Sequence, residues 1–205
     1  VTGGAQNSAV GTRAGDSITD GTYNEAIGYQ ALASTTVGIK NTAVGSEAMF
    51  TNVDGSNSTA VGYQALYYQE PATAANMYNV ALGYYAGRAI NTGVNNTIIG
   101  GLTGDALTTG SQNTTVGQGA LSADDVGSYT VAIGYTALAA QNFATATDSH
   151  NVAVGSVAGN DITTGVYNTI VGSMAGDSLT DADFNVAVGT NALGADTLGS
   201  RSTAI

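Results

Sequence analysis

The chain has 205 residues, with 29 glycines, one proline, no cysteine and no tryptophan, and a formal charge of −11 from four basic and fifteen acidic residues. The lack of cysteine excludes a disulfide scaffold, a cysteine-ligated zinc or iron–sulfur site and a thiol nucleophile. The acidic balance argues against nucleic acid, which needs a basic footprint, and no apolar run reaches the length of a membrane span.

From Asn7 onward the chain repeats itself. Asn7-Ser8-Ala9-Val10-Gly11-Thr12-Arg13-Ala14 returns as Asn24-Glu25-Ala26-Ile27-Gly28-Tyr29-Gln30-Ala31, and again from Asn41 to Ala48. Twelve copies begin at residues 7, 24, 41, 58, 79, 96, 113, 130, 151, 168, 185 and 202. Most are 17 residues apart, but the units that open at Ser58 and Thr130 run for 21. Three short units and one long one make a 72-residue block, and the fourth unit of each block opens with Ser58, Thr130 or Ser202 instead of Asn. Residues 1–205 therefore read as a single repeat array. No signal peptide is visible, and the chain starts without an initiator methionine, so it reads as a fragment, a processed product or part of something longer.

Each unit predicts two short strands, each ended by a glycine-assisted corner. The fifth position is always glycine: Gly11, Gly28, Gly45, Gly62, Gly83, Gly100, Gly117, Gly134, Gly155, Gly172 and Gly189. A glycine fixed at one place in every unit points to positive φ or close backbone approach. The ninth and twelfth positions compensate one another. Where the ninth is glycine (Gly15, Gly87, Gly104, Gly159, Gly176), the twelfth is Ile18, Ile90, Leu107, Ile162 or Leu179. Where the ninth is Leu32, Met49, Leu66, Leu121, Leu138 or Leu193, the twelfth is not a large aliphatic. One bulky side chain per unit then fills the same space by two routes.

Seventeen residues are too few for a two-helix repeat, and a fixed glycine weakens a helix. A parallel β-solenoid fits, its coils stacked about 4.8 Å apart into a rod of roughly 55 Å. The opening asparagines are expected to form a ladder along the rod axis. Positions three and four are both apolar in most units, as in Ala43-Val44 and Ile170-Val171, so both strand faces are expected to be buried. One face fills the coil. The other, assigned here to the small alanines, awaits a second chain, which predicts an oligomeric rod and most simply a threefold bundle.

The motif Asn-Thr-Ala-Val-Gly-x-x-Ala at Asn41–Ala48, with Asn151–Ala158 and Ser58–Leu66, resembles the head repeats of YadA-type trimeric autotransporter adhesins. It is also similar to repeats of bacteriophage tail fibres and large bacterial surface proteins. The resemblance covers nearly the whole chain. It implies a left-handed parallel β-roll wound as a homotrimer on the outside of a virion or bacterium. These units are longer than the basic adhesin head repeat, which favours a phage fibre shaft over an adhesin head.

The residue inventory speaks against catalysis. His150, Ser149 and Asp148 are sequence neighbours without a nucleophile-elbow context. A polysaccharide depolymerase would need carboxylates converging across a cleft, whereas the acidic residues are scattered. Asp16, Asp20, Asp177, Asp181 and Asp183 are the residues calcium would take, but they read first as solvated acidic turns, and no cofactor is assigned. An ice-binding face would need an unbroken threonine row, and Glu25, Val80, Val131, Val152 and Val186 interrupt the second position. The long units carry the expected surface-contact residues: Tyr67, Tyr68, Gln69 and Tyr78 in the first, Gln141, Phe143 and His150 in the second. Sequence alone thus expects a non-enzymatic extracellular fibre segment, self-associating, with a host glycan or protein as its outside partner.

Overall fold

The computed structural model describes residues 4–205. Among these residues there is no helix, and the chain is an all-β parallel solenoid of about twelve turns. Its strands are β1 (Ser8–Val10), β2 (Glu25–Ile27), β3 (Thr42–Val44), β4 (Gly55–Ser56), β5 (Thr59–Val61), β6 (Ala75–Asn76), β7 (Val80–Leu82) and β8 (Thr97–Ile99). They continue as β9 (Thr114–Val116), β10 (Gly127–Ser128), β11 (Val131–Ile133), β12 (Thr147–Asp148), β13 (Val152–Val154), β14 (Thr169–Val171), β15 (Val186–Val188) and β16 (Thr203–Ala204). Twelve of them form one parallel sheet in chain order. Each strand lies on its counterpart in the next repeat, as in Thr42↔Thr59 and Thr59↔Val80. The second strand expected in every unit forms only beside the long units, as the pairs β4–β6 and β10–β12. Elsewhere that side of the coil is turns and bends.

Closure of so small a loop requires backbone outside the usual range for L residues. In the coil that opens at Asn24, Gln30, Leu32 and Lys40 all take left-handed φ, at 55°, 50° and 57°. The fifth-position glycines add φ values near 130°, such as 136° at Gly45. They also stack directly: a Cβ on Gly100 would lie 2.6 Å from the carbonyl oxygen of Gly117 in the next coil. Only glycine satisfies both conditions.

The core is a thin column. The third-position residues Ala26, Ala43, Ala60, Ala81, Ala132, Ala153 and Ala187 are fully buried, while their strand neighbours are exposed or half-exposed. This reverses the assignment made from sequence. The alanines fill their own coil, and the fourth-position aliphatics face outward, Val10 at 62% and Leu82 at 46% exposure. The reason is parity: the opening asparagine is buried, so the third position, two residues on, shares its face. Ile18, Ile90, Leu107, Ile162 and Leu179 are buried alongside Leu32, Met49, Leu66, Leu121 and Leu138. A Cβ on Gly104 would lie 3.1 Å from Leu107 Cδ1, and one on Gly176 3.0 Å from Leu179 Cδ1. The two routes fill one space.

The asparagine ladder runs along the axis. Asn41 Oδ1 accepts from the amide of Ser58 at 3.0 Å, and Asn41 Nδ2 donates to the Gly55 carbonyl at 2.8 Å. The same pattern holds at Asn24, Asn96 and Asn113. Each buried amide therefore satisfies backbone groups that turns leave unpaired.

Candidate functional site

The long coils interrupt this ladder, because Ser58 and Thr130 carry hydroxyls where an amide belongs. A glutamine from the twelfth position fills the gap. Asn79 Nδ2 donates to Gln69 Oε1 at 2.9 Å, and Gln69 Nε2 donates to Asn52 Oδ1 at 3.2 Å. In the second block Asn151 Nδ2 donates to Gln141 Oε1 at 2.9 Å, and Gln141 Nε2 donates to Asp124 Oδ2 at 2.7 Å. Gln69 and Gln141 are fully buried, and Phe143 is 5% exposed. These three, expected at the surface, are interior residues: the glutamines complete the ladder, and Phe143 is a buried residue of the long loop. The exposed tips are instead Ala72-Thr73-Ala74 and Ala144-Thr145-Ala146. Beneath the first tip lies an open cleft of about 280 Å³ lined by Val37, Ile39, Ser56, Ala74, Ala75 and Asn76.

Sequence reasoning missed the buried polar residues Thr35, Asn52 and Asp124. The signal was available, since every ninth-position Leu or Met is followed at the twelfth by a polar residue. Asp124 is buried with its Oδ1 accepting from the amide of Gly127 at 2.9 Å. Desolvation raises its carboxyl above the ordinary value, against the hydrogen bonds from Gln141 and the backbone.

Two aromatic surfaces remain exposed. The residue before each opening position takes left-handed φ, and in the later coils this column stacks. Tyr129, His150, Tyr167 and Phe184 have ring centroids 5.1, 5.1 and 5.0 Å apart, and the Arg201 guanidinium lies 5.6 Å from Phe184. His150 is thus an exposed member of a ring stack, and Tyr78 occupies the same column, exposed. Stacking covers the faces of these rings and leaves their edges outward.

The second surface surrounds the first long coil. Tyr67 stacks on Phe50 at 5.2 Å and meets Tyr68 edge-on at 4.6 Å. Tyr63, Tyr84 and Tyr85 form a second group, with centroids 4.0 to 5.7 Å apart. Arg88 joins the two, its guanidinium 5.6, 5.1 and 4.9 Å from the rings of Tyr67, Tyr68 and Tyr85. Its Nε donates to Gln64 Oε1 at 2.8 Å, and Gln64 Nε2 in turn donates to Glu47 and, at 3.3 Å, to the Tyr63 hydroxyl. Among the described residues the two terminal nitrogens of Arg88 have no acceptor. Tyr63 and Tyr67 lie above the ordinary phenol value, mainly because desolvation disfavours the phenolate and then because Glu47 is near. They stay neutral hydroxyls across the physiological range.

The acidic turns do not converge. Asp16 pairs with Arg13 at 3.3 Å, Asp183 Oδ1 accepts from the Val166 amide at 2.8 Å, and Asp181 faces the Thr180 hydroxyl. Among the described residues no three His, Asp or Glu gather as a metal site would require. No family model matches the sequence, and no curated protein and no solved structure matches it significantly.

Proposed function

We propose that the chain is a segment of a non-enzymatic homotrimeric fibre, a left-handed β-roll with coils of 17 and 21 residues, displayed outside a virion or bacterial cell. The observation that supports this best is the outward column of the twelve-stranded sheet. Val10, Ile27, Val44, Val61, Leu82, Ile99, Val116, Ile133, Val154, Val171 and Val188 follow one another down the rod without a polar break. The interior is already filled by alanine and asparagine, so this column is surplus to the core of a single chain. At 4.8 Å per coil it runs for roughly 50 Å, a patch on the scale of a standard interface. Covering it with the same column of two further chains closes the assembly with cyclic symmetry. The phage fibre reading is preferred to the bacterial adhesin head for the unit lengths given above.

Multi-angle light scattering of the purified chain tests this directly. A trimer is expected. Substituting Val116 and Ile133 with lysine is expected to shift the population to monomer while each coil keeps its β signal. A monomeric parent chain would sink the proposal.

A further inference from the structure

The 72-residue duplication provides an internal control for the Arg88 surface. Each residue of that surface has a twin 72 positions on, in a coil of the same length and stacking. The twins of Glu47, Phe50 and Gln64 are Gly119, Ser122 and Thr136. The twins of Tyr67, Tyr68, Tyr84, Tyr85 and Arg88 are Ala139, Ala140, Ser156, Val157 and Asn160. Of the aromatic and charged members only Tyr63 survives, as Tyr135. The interior is meanwhile kept: Ala65, Leu66 and Gln69 correspond to Ala137, Leu138 and Gln141, all buried. Even the local bond has an equivalent, since Asn160 Nδ2 reaches the Thr136 carbonyl at 2.9 Å where Arg88 reaches Gln64. The second block folds without the cluster, so folding does not require it.

We infer that the surface formed by Tyr63, Tyr67, Tyr68, Tyr84, Tyr85 and Arg88 binds an acidic saccharide, a hydroxyl-rich ring that bears a carboxylate or a sulfate ester. Arg88 is half-buried, steered by Gln64 and held over three rings, with both terminal nitrogens left for an oxyanion. A guanidinium fixed in this way recognises a planar or tetrahedral anion with little loss of side-chain freedom. Around it stand exposed tyrosines, Tyr84 at 51% and Tyr68 at 42%. Their hydroxyls both donate and accept, matching sugar hydroxyls, and their ring carbons match the apolar face of a sugar. Glu47 lies within the cluster, and Asp105 is near enough to feel the Arg88 charge. The site therefore suits a chain with one anionic group at a time and not a dense polyanion. A peptide is the poorer fit, because every inner strand of the sheet is paired on both sides and offers no free edge for strand addition.

The proposal rests on the fibre reading only for the biological origin of the sugar. The test is calorimetric titration of the intact chain with a galactan hexamer bearing a single galacturonate, a galactan hexamer bearing a single sulfate ester, the neutral galactan hexamer and a hexaglutamate peptide. Arg88→Asn and the pair Tyr68→Ala with Tyr84→Ser are compared; each replacement is the residue the twin coil carries, and thermal melting checks the fold. At least one acidic hexamer is expected to bind ten-fold or more tighter than the neutral one. Arg88→Asn is expected to reduce that binding to the neutral level, and the tyrosine pair to abolish it. The carboxylate and sulfate arms decide which anion is preferred. Equal binding of the neutral hexamer, unchanged binding by Arg88→Asn, binding of hexaglutamate alone, or no saccharide binding would each overturn it. Light scattering on the same samples keeps the two proposals apart: a monomer that binds acidic sugar breaks the fibre reading and leaves this one standing.

Discussion

The coils that open at Ser58 and Thr130 share a length, a core and a buried glutamine, yet they have diverged in two places. Inside, Asn52 in the first block becomes Asp124 in the second, and Met77 becomes Ser149. Outside, the Tyr and Arg cluster of the first becomes alanine, serine and asparagine. The change from Asn52 to Asp124 is small in shape and large in charge, and the partner glutamine keeps its place, whereas Met77 to Ser149 replaces a buried apolar side chain with a hydroxyl bonded to Thr130. The exterior change is large in shape and leaves the backbone register intact. The comparison teaches that the stacked backbone and amide ladder specify the coil, while the side chains beyond it vary freely.

The largest effect is expected where the two coils are the same. Gly62→Ala and Gly134→Ala each drive a Cβ into the carbonyl oxygen of the next coil, at φ values of 134° and 141°. Combined strain and overpacking are expected to cost on the order of 4 kcal/mol in either block, measured by urea unfolding. A clear inequality between the two would show that the blocks are not equivalent in their stacking.

Next come the glutamines. Gln69→Ala removes one of the two acceptors of Asn79 Nδ2 and the glutamine donor to Asn52 Oδ1, and Gln141→Ala removes one of the two acceptors of Asn151 Nδ2 and the glutamine donor to Asp124 Oδ2. Each is expected to cost about 2 kcal/mol, with Gln141→Ala the more damaging because the unpaired group is charged. Equal melting losses in the two variants would count against a charged Asp124.

Asp124 itself gives a pH dependence with a definite sign. Its folded pKa is raised by desolvation, so between the unfolded and folded values the folded state holds a proton that the unfolded chain has already released. Stability from this group is greatest below the unfolded value and falls as pH rises toward the folded value, above which the loss is complete. Asp124→Asn is expected to raise stability at neutral pH by about 1 kcal/mol and to flatten that part of the profile. Asn52→Asp should introduce the same slope into the first block. Unfolding midpoints of both variants between pH 3 and pH 7 check the pair.

The smallest effect belongs to the surface. Arg88→Asn removes three cation–π contacts at a half-exposed site, and its stability change is expected to stay within about 1 kcal/mol. A much larger loss would mean that the cluster holds the first long coil together.

Much of this architecture was legible from the sequence. The unit boundaries coincide with the stacked strands, and the trade between ninth and twelfth positions is a real packing rule, seen where Gly104 makes room for Leu107. Strand facing was not legible from apolarity, because Ala and Val at adjacent positions are both apolar. The parity of the buried Asn would have decided it. Gln69 and Gln141 misled because glutamine is usually a surface residue; only the serine and threonine that break the ladder hint that an amide is needed from elsewhere. The Tyr cluster was visible as composition, but the role of Arg88 as its hub depends on coils 21 residues apart becoming neighbours.

The asparagine ladder has a consequence for how such a chain is made. Every buried Asn oxygen waits for an amide that arrives with the next repeat, and among the described residues no side-chain hydrogen bond joins positions more than 24 apart. Loop closure is therefore no costlier in a long array than in a short one. A nascent chain can zip one turn at a time as it emerges, each finished turn templating its successor. Extending such a solenoid by whole blocks adds length without slowing its assembly, a property that lets duplication lengthen it at no topological cost.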